Sequence, residues 1–308
     1  MENENTFRQV KTATTFDEQL EKLKARGCII GDEVFARRVL KQINYYRLTA
    51  YFLSFRKEDG KYIEGTTFNN VYRIYEFDRR LRNLLFSAVE EIELMLRTQL
   101  SYYHAHKYGS LGYENKDYYN GRHKHEEFIK NIEIDIIHNK NNLVVKHHQS
   151  QYGGKFPIWV IVELFTMGQL SFFYSDMLRA DKKVIARELF KTTDANVESW
   201  LRCLTDLRNV CAHYSRLYNC NMVAIPATPK NFPYKLDRSV FGYIMVLKFL
   251  YFDAEKWNNV FLPNLEALIE EYSNAIDLKL IGFPEEWKLL LRLPNPTIET
   301  TKHVIDIE

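Results

Sequence analysis

The sequence predicts an all-α fold with, at most, short strands near its beginning. Three features carry that expectation. From about Asn69 to Lys107 apolar residues recur every three or four positions, through Leu81, Leu84, Leu85, Ala88, Ile92, Met95, Leu96 and Leu100, with no proline among them, which is the period of an amphipathic helix. A second pattern of this kind fills residues 196–219. Helix-start residues, Thr15 with Glu18 three positions on and then Asp32, stand before the first two apolar runs.

In chain order, residues 1–13 are polar. The Thr15 and Glu18 pair opens a helix to about Ala25, stopped at Gly27, and Asp32 opens a second, EVFARRVLKQI. INYYRLTAYFLSF at 43–55 reads equally as helix or short strand, and Arg47 inside it needs a partner or water. KEDGKYIEGTTF at 57–68 is a loop or hairpin. The long helix that follows aligns Glu90, Glu93, Arg97, Ser101 and His104 on its polar side.

Residues 108–156 hold five of the nine histidines and one expected helix, about His125 to Ile137. His123 with His125, and His147 with His148, lack the carboxylate or cysteine spacing of a metal site and read as surface-loop residues. Pro157 then starts a nearly all-apolar block in which Trp159, Leu164, Phe165, Leu170 and Phe173 are core or dimer contacts. Glu163 is the exception within it, a buried carboxylate in want of a cation such as Arg208 or Arg216. After the helix DKKVIARELF and the 196–219 stretch, the prolines of 224–236 mark an ordered loop. Helices are expected at about 238–252, 263–274 and 284–291, before a polar tail, 297–308.

Composition excludes several classes. At 308 residues, with 46% hydrophobic and 27% charged side chains, the chain can bury a sizeable core. Its 42 Lys and Arg against 40 Asp and Glu leave a net charge of +2, so any nucleic-acid site is a local patch. The candidates are Lys140, Lys146, His147 and His148, and Arg79, Arg80 and Arg82, each of which also reads as an ordinary solvated face. The 20 Tyr and 20 Phe suit a core, an interface or base stacking. Four cysteines without CxxC pairing argue against zinc and against a disulfide framework, and Cys203 and Cys211 read as small core residues. No cofactor is expected. The lack of an 18-residue apolar run and of a signal-peptide core in MENENTFRQVK predicts a cytoplasmic protein with no membrane association.

The stretch most suited to chemistry is 196–219. At about 100° per residue, Cys203, Leu204, Leu207, Val210, Cys211 and Tyr214 share an apolar arc, while Arg208, Asn209, His213 and Arg216 share the other face. That set combines a permanent cation, an amide and an imidazole able to exchange a proton near neutrality. It suits phosphodiester chemistry, with histidine moving the proton of an attacking 2′-hydroxyl or a leaving 5′-oxygen and arginine neutralising the transition state. An arginine followed after four to six residues by a histidine occurs at Arg208 to His213 and again at Arg97 to His104, a frequency that composition alone accounts for. The amphipathic setting singles out the first.

RNVCAHYSRLYN at 208–219 resembles the signature of the Abi proteins of the AbiD and AbiF type (Abi_2), bacterial abortive-infection factors whose core resembles the HEPN ribonuclease fold. INYYRLTAYFLSF and FPIWVIVELFTMGQLSFFYSDM, at 156–177, resemble the family's amino-terminal and central blocks. The resemblance implies one helical domain, 1–308, with an N-terminal extension to 67, a HEPN-like bundle over 68–222 and a helical extension from 223. It implies a metal-independent endoribonuclease of phage defence, a homodimer that joins two copies of Arg208 and His213. Asn209 would orient the imidazole or bind phosphate, and Arg216 would grip RNA backbone or brace Glu163.

Arg97 and His104 would form a second half-site, or else a Glu93 salt bridge beside a helix-end histidine. Arg47 would contact RNA or tie its segment to the core. Where many relatives carry a second histidine this chain has Tyr214, which places more weight on His213. The alternative function is a non-catalytic module that holds a small non-coding RNA.

Overall fold

The computed structural model describes residue 10 and residues 12–294; the polar ends 1–9 and 297–308 lie outside the described residues. It is all-α. Among the described residues no strand forms, only isolated bridges such as Ile29 with Thr67 and Arg56 with Tyr62. The chain divides into two compact units, one taking in the chain up to Asp78 together with Glu271–Ile276, the other Arg79–Glu270 and the chain from Asp277 on.

In the first unit, α1 (Phe16–Ala25) begins at the expected capping box, Thr15 and Glu18 satisfying each other's backbone N–H. Gly27 follows at φ +89°, a conformation that costs glycine nothing. Asp32 caps α2 (Glu33–Gln42) by accepting from the Phe35 N–H at 2.8 Å. The ambiguous 43–55 stretch becomes α3 (Tyr45–Thr49) and a 3-10 turn, Tyr51–Phe55. Asn44 decides it, since its side chain accepts from the Tyr46 N–H at 2.8 Å and so starts a helix where apolar periodicity was silent. The next loop folds back on itself, with the Lys57 N–H donating to the Lys61 carbonyl at 2.8 Å.

The expected long helix is α4 (Phe68–Tyr108), 41 residues, about 60 Å at the usual rise. Its apolar stripe, Leu81, Leu85, Ala88, Ile92, Leu96 and Leu100, is buried. The rest of the second unit comprises α5 (His125–His138), α6 (Leu143–Gln151), α7 (Ile158–Leu164), α8 (Met167–Asp176), α9 (Arg179–Phe190), α10 (Asp194–Ala212), α11 (Val240–Leu250), α12 (Ala254–Lys256) with a π turn after it, α13 (Leu262–Tyr272), which ends in the first unit, and α14 (Trp287–Leu291). The single apolar block at 156–177 is two helices. Phe165 is extended between them, and Thr166 forms a capping box with Gln169 that restarts the chain as α8.

At the centre lies α11, buried from Val240 through Leu247, as a helix apolar on every side must be. α10 packs against α8, α9 and α11, and buries Val197, Trp200, Leu201, Cys203, Leu204, Leu207 and Cys211. Trp159 stays outside the core at 52% exposure. Among the described residues no helix is long and apolar enough to cross a membrane.

Gly282, at φ +83°, closes the turn after Ile281 so tightly against Ser239, the cap of α11, that a Cβ there would lie 2.2 Å from the serine Cβ. Gly282→Ala should therefore destabilise the protein by about 2–4 kcal/mol through strain and overpacking. Gly121→Ala, which meets nothing within 4 Å, should stay within about 0.5 kcal/mol of the parent. Urea denaturation of the pair checks both.

Candidate functional site

α10 starts at Thr193, whose hydroxyl accepts from the Asn196 N–H, and is pinned along its length by the loop after Met222. The Trp200 Nε1–H donates to the Ala227 carbonyl at 2.8 Å, the Ala227 N–H to the Ser199 hydroxyl at 2.9 Å, and the Ala224 N–H to Asp206 at 3.1 Å. The helix is thus held on its buried side and leaves Arg202, Asn209 and His213 exposed.

The helix ends at Ala212, seven residues short of the end of the stretch that the periodicity assigned to it. The Ser215 N–H donates to the Val210 carbonyl at 2.9 Å and the Tyr214 N–H to the Cys211 carbonyl at 3.2 Å, which is a Schellman motif with Tyr214 in the left-handed position at φ +57°. Glycine usually occupies that position, and its absence hid the stop. Tyr214 is consequently 69% exposed instead of buried on the apolar arc, and Arg216 lies past the helix end, where a helical projection no longer places it. His213 is the C-cap residue, its N–H donating to the Asn209 carbonyl at 3.0 Å.

Arg208 and Asn209, in the last turn of α10, and His213, on its cap, therefore occupy one end of one helix. His213 and Asn209 are exposed, whereas Arg208 is half-buried and its Nε, buried, meets no hydrogen-bond partner among the described residues. The segment after His213 is anchored. Arg82 of α4 donates to the Ser215 carbonyl at 3.2 Å, Leu217 and Tyr218 are buried, and the Tyr218 hydroxyl accepts from the Asp277 N–H at 2.8 Å. Arg82 is 3% exposed, so its reading as part of a solvated basic face is corrected: it is a brace under the site.

Several other expectations are corrected too. Glu163 is exposed on α7, because its helix buries Ile158, Val160, Ile161 and Val162 and turns the carboxylate outward; it is no buried anion in need of Arg208 or Arg216. Arg97 is 8% exposed, pairs with Glu93, and donates to the Val162 carbonyl and, at 2.7 Å, to the Phe165 carbonyl. Its planar fork adds a second donor to the Val162 carbonyl, which also accepts from the Phe165 N–H at 3.3 Å, and supplies one to the Phe165 carbonyl just past the end of α7. His104 is fully buried, ringed by Tyr108, Tyr119 and Phe173, and neither ring nitrogen has a partner among the described residues. Arg97, Ser101 and His104 thus turn inward while Glu90 stays exposed; of the two expectations for Arg97 the Glu93 salt bridge is the one that forms, and the second half-site is not presented at the surface. Arg47 is exposed on α3.

One polar chain escaped the sequence reading. His123, its side chain 3% exposed, bonds Asp176 through Nδ1 at 2.9 Å and His125 through Nε2 at 3.2 Å, while His125 Nε2 meets the Glu114 carbonyl at 2.9 Å. The signal was the closeness of the two histidines; Asp176, 53 positions on, gave none. Among the described residues no group of three or more His, Cys, Asp or Glu is placed to hold a metal ion.

What fold and site define together is an all-α protein that carries an Arg, Asn and His cluster at the capped end of its most embedded amphipathic helix. Residues 38–219, more than half of the chain, match the family of Abi-like proteins, and the chain belongs to that family. The match runs from α2 through the cap of α10 and the residues that anchor it. Family membership points to abortive-infection defence. Comparison with curated proteins and with solved structures gave no match.

Arg97→Ala should destabilise the protein by about 3–5 kcal/mol in urea melts, because it strands a largely buried Glu93 and takes the donor from the Phe165 carbonyl; Arg97→Lys, which keeps the charge without the fork, should recover only part. Burial depresses the His104 pKa to about 4, against Asp181, which raises it. The unfolded chain binds that proton near pH 6.5, so stability present above about pH 6.5 is lost as the pH falls toward about 4, by about 3 kcal/mol. His104→Leu should remove this component, which shows as a pH-dependent difference between the two unfolding curves.

Proposed function

We propose that the protein is a metal-independent endoribonuclease of the HEPN type, acting in abortive infection, with Arg208 and His213 as its catalytic pair. One observation carries the reading: an exposed imidazole on a braced helix cap lies five residues on from an arginine whose Nε is buried and has no hydrogen-bond partner among the described residues. His213 exchanges the proton of the 2′-hydroxyl nucleophile or of the 5′-oxygen leaving group. Arg208 holds the phosphate and offsets the negative charge that builds on it. Asn209, one turn before His213, orients the ring or binds phosphate, and Arg216 contacts the RNA backbone. The catalytic module is the HEPN-like stretch 68–222 of a single Abi-like domain.

A single imidazole serves one of the two proton transfers. A homodimer related by a two-fold axis would set a second His213 across the scissile phosphate, so that one copy takes a proton and the other gives one. The reading makes no use of Glu163, Arg97 or His104.

The test is cleavage of a labelled RNA by the purified protein in EDTA. His213→Ala should lower the rate about 100- to 10,000-fold and Arg208→Ala about 100- to 1,000-fold, with melting temperatures unchanged for His213→Ala, whose side chain is exposed. A fully active His213→Ala protein overturns the mechanism. Salt-sensitive RNA binding without cleavage by the parent protein points to the non-catalytic module that holds a small RNA.

A further inference from the structure

The first unit contains a furrow that the cleavage reading does not use. Two adjoining cavities, of about 280 Å³ and about 690 Å³, share Arg26, Tyr45 and Tyr46 along their common edge, and lie in the size range of small-ligand sites. Their charged lining is cationic throughout, Arg26 and Arg56 in the smaller cavity, Lys22, Arg26 and Lys41 in the larger, and no carboxylate lines either. Cations gathered along a lining that holds no carboxylate favour an anion there.

Aromatic rings fill the space between the cations. Tyr46 stands 75% exposed at the shared edge, while Phe52 and Tyr62 form a buried floor with ring centroids 4.9 Å apart. The floor is fixed in place, since the Tyr62 N–H donates to the Arg26 carbonyl at 2.7 Å and the Ile63 N–H to the Phe55 carbonyl at 2.7 Å.

Two polar atoms in the furrow are left over. The Tyr45 hydroxyl and Gln19 Oε1 are both buried and have no hydrogen-bond partner among the described residues, although Gln19 Nε2 donates to the Thr14 carbonyl at 3.2 Å. Burial raises the Tyr45 pKa, so this hydroxyl keeps its proton. Residues that line the furrow thus carry one unmet donor and one unmet acceptor, and buried groups of this kind ordinarily have partners.

We infer that this furrow binds a nucleotide, its phosphate on Arg26 and Arg56, its base against Tyr46, and its polar base edge on Tyr45 and Gln19. The chemistry selects the ligand. A base offers a flat ring together with both donors and acceptors on its edge, and a phosphate suits the planar guanidinium. A carboxylate-rich peptide would satisfy the cations but, through its side chains, would bring only acceptors to Gln19 Oε1. The ligand is either a free mononucleotide or one unit of a single strand, and the inference stands whether or not His213 cleaves RNA.

The test uses the full chain with His213→Ala, so that the probe stays intact, and follows the anisotropy of a fluorescein-labelled ten-nucleotide oligo(A). Tyr46→Ala removes an exposed ring and should weaken binding roughly 5- to 100-fold with an unchanged melting temperature. Arg26→Ala combined with Arg56→Ala should weaken it at least tenfold and flatten the logarithmic salt dependence by about 0.7, one phosphate's worth for a single strand. Displacement of the probe by AMP, lost in the Tyr46→Ala protein, identifies a mononucleotide site; no displacement by AMP with the same losses for the oligonucleotide identifies a strand site. Folded variants that bind oligonucleotide and AMP as the parent does overturn the inference, as does a parent that binds an acidic peptide and no nucleotide.

Discussion

Backbone carbonyls where a helix stops need donors, and in the second unit arginines of α4 supply some of those at and just past two helix ends. Arg97 reaches the carbonyls of Val162 and Phe165 at the end of α7, and Arg82 reaches that of Ser215 just past the cap of α10. Because both side chains come from one continuous helix, the end of α7 and the end of α10 are set in register with the same support. The position of His213 follows. It rides on a cap whose own backbone bonds and whose next anchor, Leu217 and Tyr218, leave the chain little freedom.

The interior treats its ionisable groups according to the donors within reach. Asp181 is fully buried, and the Tyr103 hydroxyl at 2.9 Å, the Tyr108 hydroxyl at 2.6 Å and the Lys107 ammonium all donate to it. This carboxylate latches α9 to the last turns of α4. Lys182, beside it in sequence and 5% exposed, donates to the Ser175 carbonyl at 2.9 Å and to Glu198 at 2.8 Å. Both are satisfied buried charges, costly to break. His104, a turn away from Tyr108, finds only rings and is kept neutral. Asp181 on α9 thus has three donors about it, whereas His104 on α4 has no hydrogen-bond partner among the described residues.

The parts of the fold that could be read from the sequence are those fixed by contacts within a few residues. The Thr15 and Glu18 capping box, the Asp32 cap and the apolar stripe of α4 are local, and each lies where the residues put it. Asn44 and the Thr166 and Gln169 box were equally local and could have been found by the same rule. The end of α10 could not, because Tyr214 adopts a left-handed conformation that its side chain disfavours and that surrounding contacts must impose. The site was legible only as a set of residue types: Arg208, Asn209 and His213 do share a helix end, while Glu163, Arg97 and His104 belong elsewhere.

By itself the sequence determined the class of fold, the helices with strong caps and stripes, and the cluster of Arg208, Asn209 and His213, since helical period and side-chain chemistry are properties of short stretches. Tertiary structure decided which polar residues face water. A salt-bridge spacing on α4 looks the same whether Arg97 lies outdoors or under α7, and Arg82 looks like any surface cation until the Ser215 carbonyl arrives beside it. Burial and pairing depend on residues far along the chain, and no local pattern encodes them.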